Sequence, residues 1–180
     1  MKIEKTAIEG LLILTPTLFH DDRGYFFESY NQDKFKELGV TEEFVQDNQS
    51  CSAKGVIRGL HFQKPPYAQA KLVRVVKGAV LDVAVDLRGA SPTYGRHVSV
   101  LLSEENQRQF FIPIGFAHGF IALEDDTVFC YKCSAVYHKN SEASIRFDDS
   151  LLNIDWGVGE IIVNQKDIEG EKFANFKTVF

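Results

Sequence analysis

The sequence predicts an all-β chain folded as a jelly-roll sandwich or barrel, with one or two short helices. Three observations carry this expectation. Fifteen Phe and six Tyr are spread along the whole 180-residue length, and aromatic side chains suit pleated, half-buried surfaces. Gly and Pro punctuate short apolar runs. The stretch Leu81-Asp82-Val83-Ala84-Val85-Asp86 alternates with period two, so Leu81, Val83 and Val85 share one face and Asp82, Ala84 and Asp86 the other. No linker, internal repeat or low-complexity tract interrupts the chain, so residues 1–180 are expected to form one domain. A barrel of this size can hold one small ligand in its mouth.

Candidate strands run over residues 11–15, 25–30, 44–50, 56–62, 71–77, 79–87, 96–102, 108–112, 119–123 and 128–136. Each is a short apolar or aromatic run bounded by turn residues. Lys77-Gly78 reads as the turn between two of them. A helix is expected over 32–38, with Asn31 as N-cap and Gly39 as its C-terminal stop. A second short helix is expected near 166–174.

Hydrophobic residues make up 44% of the chain and charged residues 25%, enough for a packed core and against disorder. A net charge of −5 argues against a nucleic-acid or anionic-membrane partner. It leaves room for a locally basic pocket. The apolar run at 11–14 is too short, and too flanked by charge, for a signal peptide. No uncharged stretch reaches transmembrane length. The three cysteines, Cys51, Cys130 and Cys133, show no metal-ligand pattern. Cys130-x-x-Cys133 has redox spacing, but it lies in a strand-like run, which favours buried thiols. Together these features point to a reducing cytoplasm.

Two clusters place titratable groups among apolar, glycine-rich neighbours. One is Arg58-Gly59-Leu60-His61-Phe62-Gln63, followed by Lys71. The other is Pro113-Ile114-Gly115-Phe116-Ala117-His118-Gly119-Phe120. Burying such groups costs several kcal/mol unless partners satisfy them. A lone histidine in an apolar run is more often a hydrogen-bonded core residue than a functional one. Arg58 and His61 are three apart, so a regular strand would point them to opposite faces. Serving one pocket together requires a bulge near Gly59. Where a metal-binding barrel of this kind would carry paired histidines, the chain reads His61-Phe62-Gln63. One imidazole without a second ligand is a poor zinc or iron site. No dinucleotide glycine motif or phosphate loop is present.

The sequence resembles the dTDP-4-dehydrorhamnose 3,5-epimerase family over nearly its whole length. The resemblance rests on Asp22-Arg23-Gly24-x-Phe26-x-Glu28, Phe44-Val45-Gln46-Asp47-Asn48-x-Ser50 and Gly55-Val56-Ile57-Arg58-Gly59-Leu60-His61-x-Gln63. It continues through Gln69-x-Lys71-Leu72-Val73, Asp82-Val83-x-Val85-Asp86-Leu87-Arg88, Ser91-Pro92-Thr93-x-Gly95, Ile112-Pro113-x-Gly115-Phe116-Ala117-His118-Gly119-Phe120 and Ile154-x-Trp156. The segment 156–167 is shorter and less typical, without the usual Pro and Ser.

The resemblance implies a cupin-type jelly-roll β-barrel and a homodimer. The substrate would be a nucleotide-linked 4-ketosugar, dTDP-4-dehydro-6-deoxy-D-glucose, inverted at C3 and C5 with no metal or redox cofactor. His61 matches the general base, Asp167 the carboxylate that orients it, and Tyr131 the general acid on the opposite sugar face. Asp82 is the alternative partner for His61. Lys71 and His118 match the groups beside the keto oxygen. Arg23, Glu28, Gln46, Asp47, Asn48, Arg58, Glu142 and Lys166 match positions that bind the nucleotide sugar, and Tyr137 an aromatic that stacks on thymine. The competing readings are an epimerase acting at C3 or C5 alone, a metal-dependent cupin oxygenase, and a non-catalytic binding module.

These residue types suit proton transfer beside a ketone. A cation near the keto oxygen opposes the developing enolate charge. An imidazole, with an ordinary pKa of about 6.5, accepts a proton near neutrality. Groups on both sugar faces explain inversion, because a single base tends to return its proton to the side it came from.

Overall fold

The structure is a computed structural model that describes residues 1–157 and 159–180. Residue 158, inside the segment 156–167 singled out above, lies outside them. Thirteen strands are described: β1 (Lys2–Lys5), β2 (Leu12–Thr15), β3 (Phe19–Asp21), β4 (Gly24–Phe26), β5 (Gln46–Ser52), β6 (Ile57–Gln63), β7 (Lys71–Lys77), β8 (Ala79–Asp86), β9 (His97–Ser103), β10 (Gln109–Ile112), β11 (Phe116–Ala122), β12 (Thr127–Cys133) and β13 (Glu142–Ser144). The helices are α1 (Gln32–Glu37) and α2 (Gln165–Ile168).

A six-stranded sheet of order β1-β2-β10-β7-β12-β5 packs against a five-stranded sheet of order β13-β6-β11-β8-β9. Pairing within both is antiparallel. The inner faces interdigitate: Val73, Val75, Phe110, Ile112 and Phe129 from one sheet meet Val80, Ala84, Val100, Leu102, Phe116 and Phe120 from the other. This is the expected all-β jelly roll.

β8 explains much of the architecture. Its period-two alternation is real, yet both faces are buried. Ala84 faces the space between the sheets, whereas Leu81, Val83 and Val85 face outward. The C-terminal segment covers that outer face with Leu152, Trp156, Phe173 and Phe176. The six-stranded sheet is covered outside only in part, where α1 sets Phe35 against Leu14, Leu72 and Phe111.

The helix expected at 32–38 is α1. Asn31 caps it, its side chain accepting from the Lys34 N–H, and Gly39 ends it with φ +91°. The turn at Lys77-Gly78 joins β7 to β8; Gly78 has φ +78°, and a Cβ there would fall 2.5 Å from Thr127 Oγ1. Four expectations need correction. The run 25–30 yields only the short β4, and the run 128–136 leaves its sheet after Cys133. The helix expected near 166–174 is instead the four-residue α2 and a separate 3₁₀ turn at Phe173–Asn175, because Glu171 between them bridges to Ile145. The cysteines are not uniformly buried: Cys133 is, Cys130 is half-buried and Cys51 is exposed. Cys130 and Cys133 are three apart on one strand and so lie on opposite faces, of which only the inner one is dry. β1, β3 and β13 are too short and polar to announce themselves. Among the described residues no helix is long and apolar enough to cross a membrane.

Candidate active site

A cavity of about 390 Å³ opens between β6 of one sheet and β5, β7 and β12 of the other. That is within the range of small-ligand sites. Its lining includes Gln46, Asn48, His61, Lys71, Tyr131, Tyr137 and Glu142. Each side chain arrives by strand register. Tyr131 pairs with Asn48 on β5 and with Val73 on β7, and Cys133 pairs with Gln46 and Lys71, so these alternate positions share the inner face. The Lys71 Nζ lies 5.9 Å from the centre of the Tyr131 ring.

His61 stands on β6 beside a bulge. In the β6–β11 register His61 opposes His118, yet Arg58 opposes Phe120, so three steps on β6 match two on β11. The extra residue falls at Gly59–Leu60, where the sequence required it. Gly59 has φ +152°, and a Cβ there would sit 2.5 Å from the Gly119 Cα, so only glycine fits. Past the bulge, Arg58 lies against β5. Arg58 Nε donates to Ser52 Oγ at 3.1 Å, and its charge acts on Tyr131.

Asp167 reaches His61 from 106 residues away: His61 Nε2 lies 2.7 Å from its Oδ1. The other carboxylate oxygen accepts the Gly59 N–H at 3.1 Å. Short backbone pairings bring the carboxylate there. Ile57 N–H donates to Ile162 O at 2.9 Å and Glu171 N–H to Ser144 O at 2.9 Å, pinning the segment that carries α2 across β6 and β13. Asn164 caps α2 by accepting the Asp167 N–H at 2.8 Å. Burial works to raise the Asp167 pKa, but the bonds from His61 and Gly59 outweigh it and hold the carboxyl below its usual range.

Asp82 belongs to a second pair. His118 opposes Ala84 on β8 and reaches diagonally to Asp82, with Nε2 2.9 Å from Oδ2. Both residues are buried. Burial pushes the His118 pKa down against the pull of Asp82. Lys71 is likewise pushed down by burial, opposed by Cys133, Asp82 and Glu142. Burial raises the Tyr131 phenol, which therefore stays protonated well into alkaline pH. Tyr137 donates its O–H to Glu142 at 2.8 Å, and Lys166 Nζ lies 2.6 Å from the same carboxylate.

Three candidates stand elsewhere. Asp47 lies on the outer face of β5, paired with Lys132 at 2.8 Å, because it alternates with Gln46 and Asn48. Arg23 lies in the turn between β3 and β4 and Glu28 follows β4, both away from the cavity lining. Arg23 pairs with Asp21 at 2.5 Å and Glu28 with Lys34 at 2.8 Å, all exposed. Four lining residues had no role assigned from sequence: Phe62, Gln63, Gln69 and Cys133. Cys133 and Gln63 each lie two positions from a named residue, Tyr131 and His61, which is the signal that was available.

The donor set does not fit a resident cupin metal. Among the described residues no group of three His, Cys, Asp or Glu side chains converges to hold an ion. What the arrangement offers is a setting for proton chemistry: an imidazole bonded to a carboxylate, a half-buried phenol and an amine whose charged form burial disfavours, around one cavity.

Comparison with known proteins agrees with that chemistry. A family model described as dTDP-4-dehydrorhamnose 3,5-epimerase matches residues 5–175. A dTDP-4-dehydrorhamnose 3,5-epimerase of Shigella flexneri is 52% identical over 176 residues, covering 97% of each chain. The crystal structure of a dTDP-6-deoxy-D-glucose-3,5-epimerase from Legionella pneumophila, in complex with dTDP-4-keto-L-rhamnose, is 47% identical with a TM-score of 0.94, covering 98% of this chain and 94% of that one. A 3'-monoepimerase from Streptomyces bikiniensis, in complex with dTDP-quinovose, is 31% identical with a TM-score of 0.89, covering 94% and 86%. By its sequence, its jelly roll and the length of these matches, the chain belongs to the dTDP-4-dehydrorhamnose 3,5-epimerase family.

Proposed function

We propose that this chain is an isomerase, a dTDP-4-dehydrorhamnose 3,5-epimerase, that moves protons at C3 and C5 of dTDP-4-dehydro-6-deoxy-D-glucose in dTDP-L-rhamnose biosynthesis. The observation that carries the reading is the meeting of the His61–Asp167 pair, Tyr131 and Lys71 on one cavity. His61 donates its Nε2 proton to Asp167, which leaves the other ring nitrogen to take the C–H proton. The carboxylate then supports the imidazolium. Electron density moves to the keto oxygen, where Lys71 opposes it, with the His118–Asp82 pair behind. Burial disfavours the ammonium, and an enolate forming beside it would favour the charged form. Tyr131 delivers a proton to the opposite face. The reaction needs no electron acceptor, and nothing in it calls on a redox cofactor or metal.

Gln46, Asn48, Arg58, Glu142 and Lys166 bind the nucleotide sugar in this reading, and Tyr137 stacks on the base. Tyr137 lies at the cavity rim with its ring about half exposed, which supports a stacking role. In this reading Arg23 and Glu28 would reach a nucleotide site only across a homodimer, and Asp47, on the outer face of β5, would lie at the subunit interface rather than on the cavity. The exposed Phe19 and Phe26 on the β3–β4 ribbon support such an assembly, since one ribbon can cover the open outer face of a partner. We place the enzyme in the cytoplasm, as a single domain, where its free thiols stay reduced.

Deuterium incorporation tests the reading. In D₂O, with or without EDTA, NMR of the product should show deuterium at both C3 and C5. Label at one carbon only supports the second reading, a single-position epimerase, which the likeness to the Streptomyces 3'-monoepimerase keeps in view. Activity abolished by EDTA and restored by iron would favour a metal-dependent oxygenase.

A further inference from the structure

After β12 ends at Cys133 the chain runs irregularly to His138, and its backbone is carried by glutamine side chains. Gln69 Nε2 donates to Ala135 O at 2.6 Å. Gln63 Nε2 donates to Val136 O at 3.3 Å, and Gln63 Oε1 accepts the His138 N–H at 2.7 Å. Gln46 Oε1 accepts the Tyr137 N–H at 2.7 Å. Four consecutive residues thus hang from three amides, all of which line the cavity.

Gln63 is the centre of this arrangement. It is 4% exposed, and its Nε2 also donates to Tyr67 O at 2.6 Å. One side chain therefore joins β6, the loop after it and the strap that bears Tyr137. The Tyr67 ring stacks on His138 at 3.9 Å and closes the same joint. Only an amide serves here, since the position must both accept from an N–H and donate to two carbonyls. A carboxylate would set an oxygen against Tyr67 O and Val136 O. An apolar side chain would leave three backbone groups unpaired.

We propose that Gln63 is a positioning residue for nucleotide recognition: it holds the strap 135–138 so that Tyr137 and Glu142 stand as the wall that receives the nucleotide. The proposal rests on the reading of Tyr137 as the base-stacking residue. It separates two tasks in β6, because His61 serves proton transfer and Gln63, two residues on, serves binding.

Calorimetry with dTDP tests it, on the full-length wild type, Gln63→Met, Tyr137→Ala and the double variant, alongside turnover. Gln63→Met should raise the dTDP Kd and the substrate KM about tenfold, because the strap loses its fixed place, while kcat stays within about threefold. In the Tyr137→Ala background it should cost clearly less affinity than in the wild type, since coupled residues are non-additive. Wild-type dTDP affinity in Gln63→Met, or full additivity in the double variant, overturns the proposal while leaving the proposed function standing. A wild-type protein that does not bind dTDP overturns both. If Gln63→Met fails to fold, Gln69→Ala carries the test from a half-buried position, with a Kd increase of a few-fold expected and an unchanged Kd counting against the proposal.

Discussion

The Nε2 of His61 and the Oδ1 of Asp167 are 2.7 Å apart, and the second oxygen of that carboxylate holds the Gly59 N–H. One side chain thereby orients the imidazole and braces the bulge two residues before it. The ring and the backbone that carries it share an anchor from the far end of the chain.

Asp167→Asn should therefore lower kcat by about 10²–10⁴. The amide can offer an N–H to the imidazole and stabilise the wrong tautomer. Nucleotide binding should change little, because Asp167 is wholly buried behind His61. Steady-state kinetics with a dTDP titration checks this; kcat within tenfold of wild type would remove Asp167 from the orienting role.

Tyr131→Phe separates proton removal from inversion. With His61 intact, solvent deuterium should still enter substrate with retained configuration, while epimerised product falls by about 10²-fold or more. NMR of recovered substrate and product reads both rates. Unchanged inversion would mean that another donor serves the second face.

The pH profile should bear the mark of Lys71. Burial lowers its pKa, so the ammonium is lost as pH rises through a value below the ordinary 10.5. Activity that depends on the charge then falls on an alkaline limb earlier than a free lysine would give. Lys71→Arg, ionised throughout the range, should move that limb to higher pH even if kcat drops about 10²-fold. A limb at the same pH in both proteins would assign it to another group.

Asp86 should matter for stability rather than catalysis. Burial opposes its ionisation, but Arg88, Ser91 and Thr93 overcome it and bring the carboxyl down to about 2 from 3.8. Its folded pKa lies below the unfolded one, so its contribution is complete above 3.8 and is lost as pH falls towards 2. Asp86→Asn should cost roughly 1–3 kcal/mol near neutrality, seen as a melting temperature lower by several degrees. The deficit should shrink on acidification, and its persistence below the carboxyl's pKa would refute the assignment.

Much of the site was legible because β-structure has a short rule. Period two places Gln46 with Asn48, and Tyr131 with Cys133, on one face, and the three-residue spacing of Arg58 and His61 demanded the bulge that Gly59 supplies. The same rule sends Asp47 to the face opposite Gln46 and Asn48, although all three match binding positions in the resemblance. The second helix failed for another reason: Glu171 is drawn off into a bridge with Ile145, a partner that local propensity does not see.

By itself the sequence determined the all-β class, most strand positions and the α1 caps, since each follows from local spacing, whereas the candidate proton-transferring side chains came from the family resemblance. Only the tertiary structure decided which carboxylate serves which histidine. Asp82 lies closer to His61 in sequence, yet strand register gives it to His118, while Asp167 crosses 106 residues to reach His61. Partner choice among buried charges depends on which backbones are hydrogen-bonded side by side, and that is a property of the folded sheet.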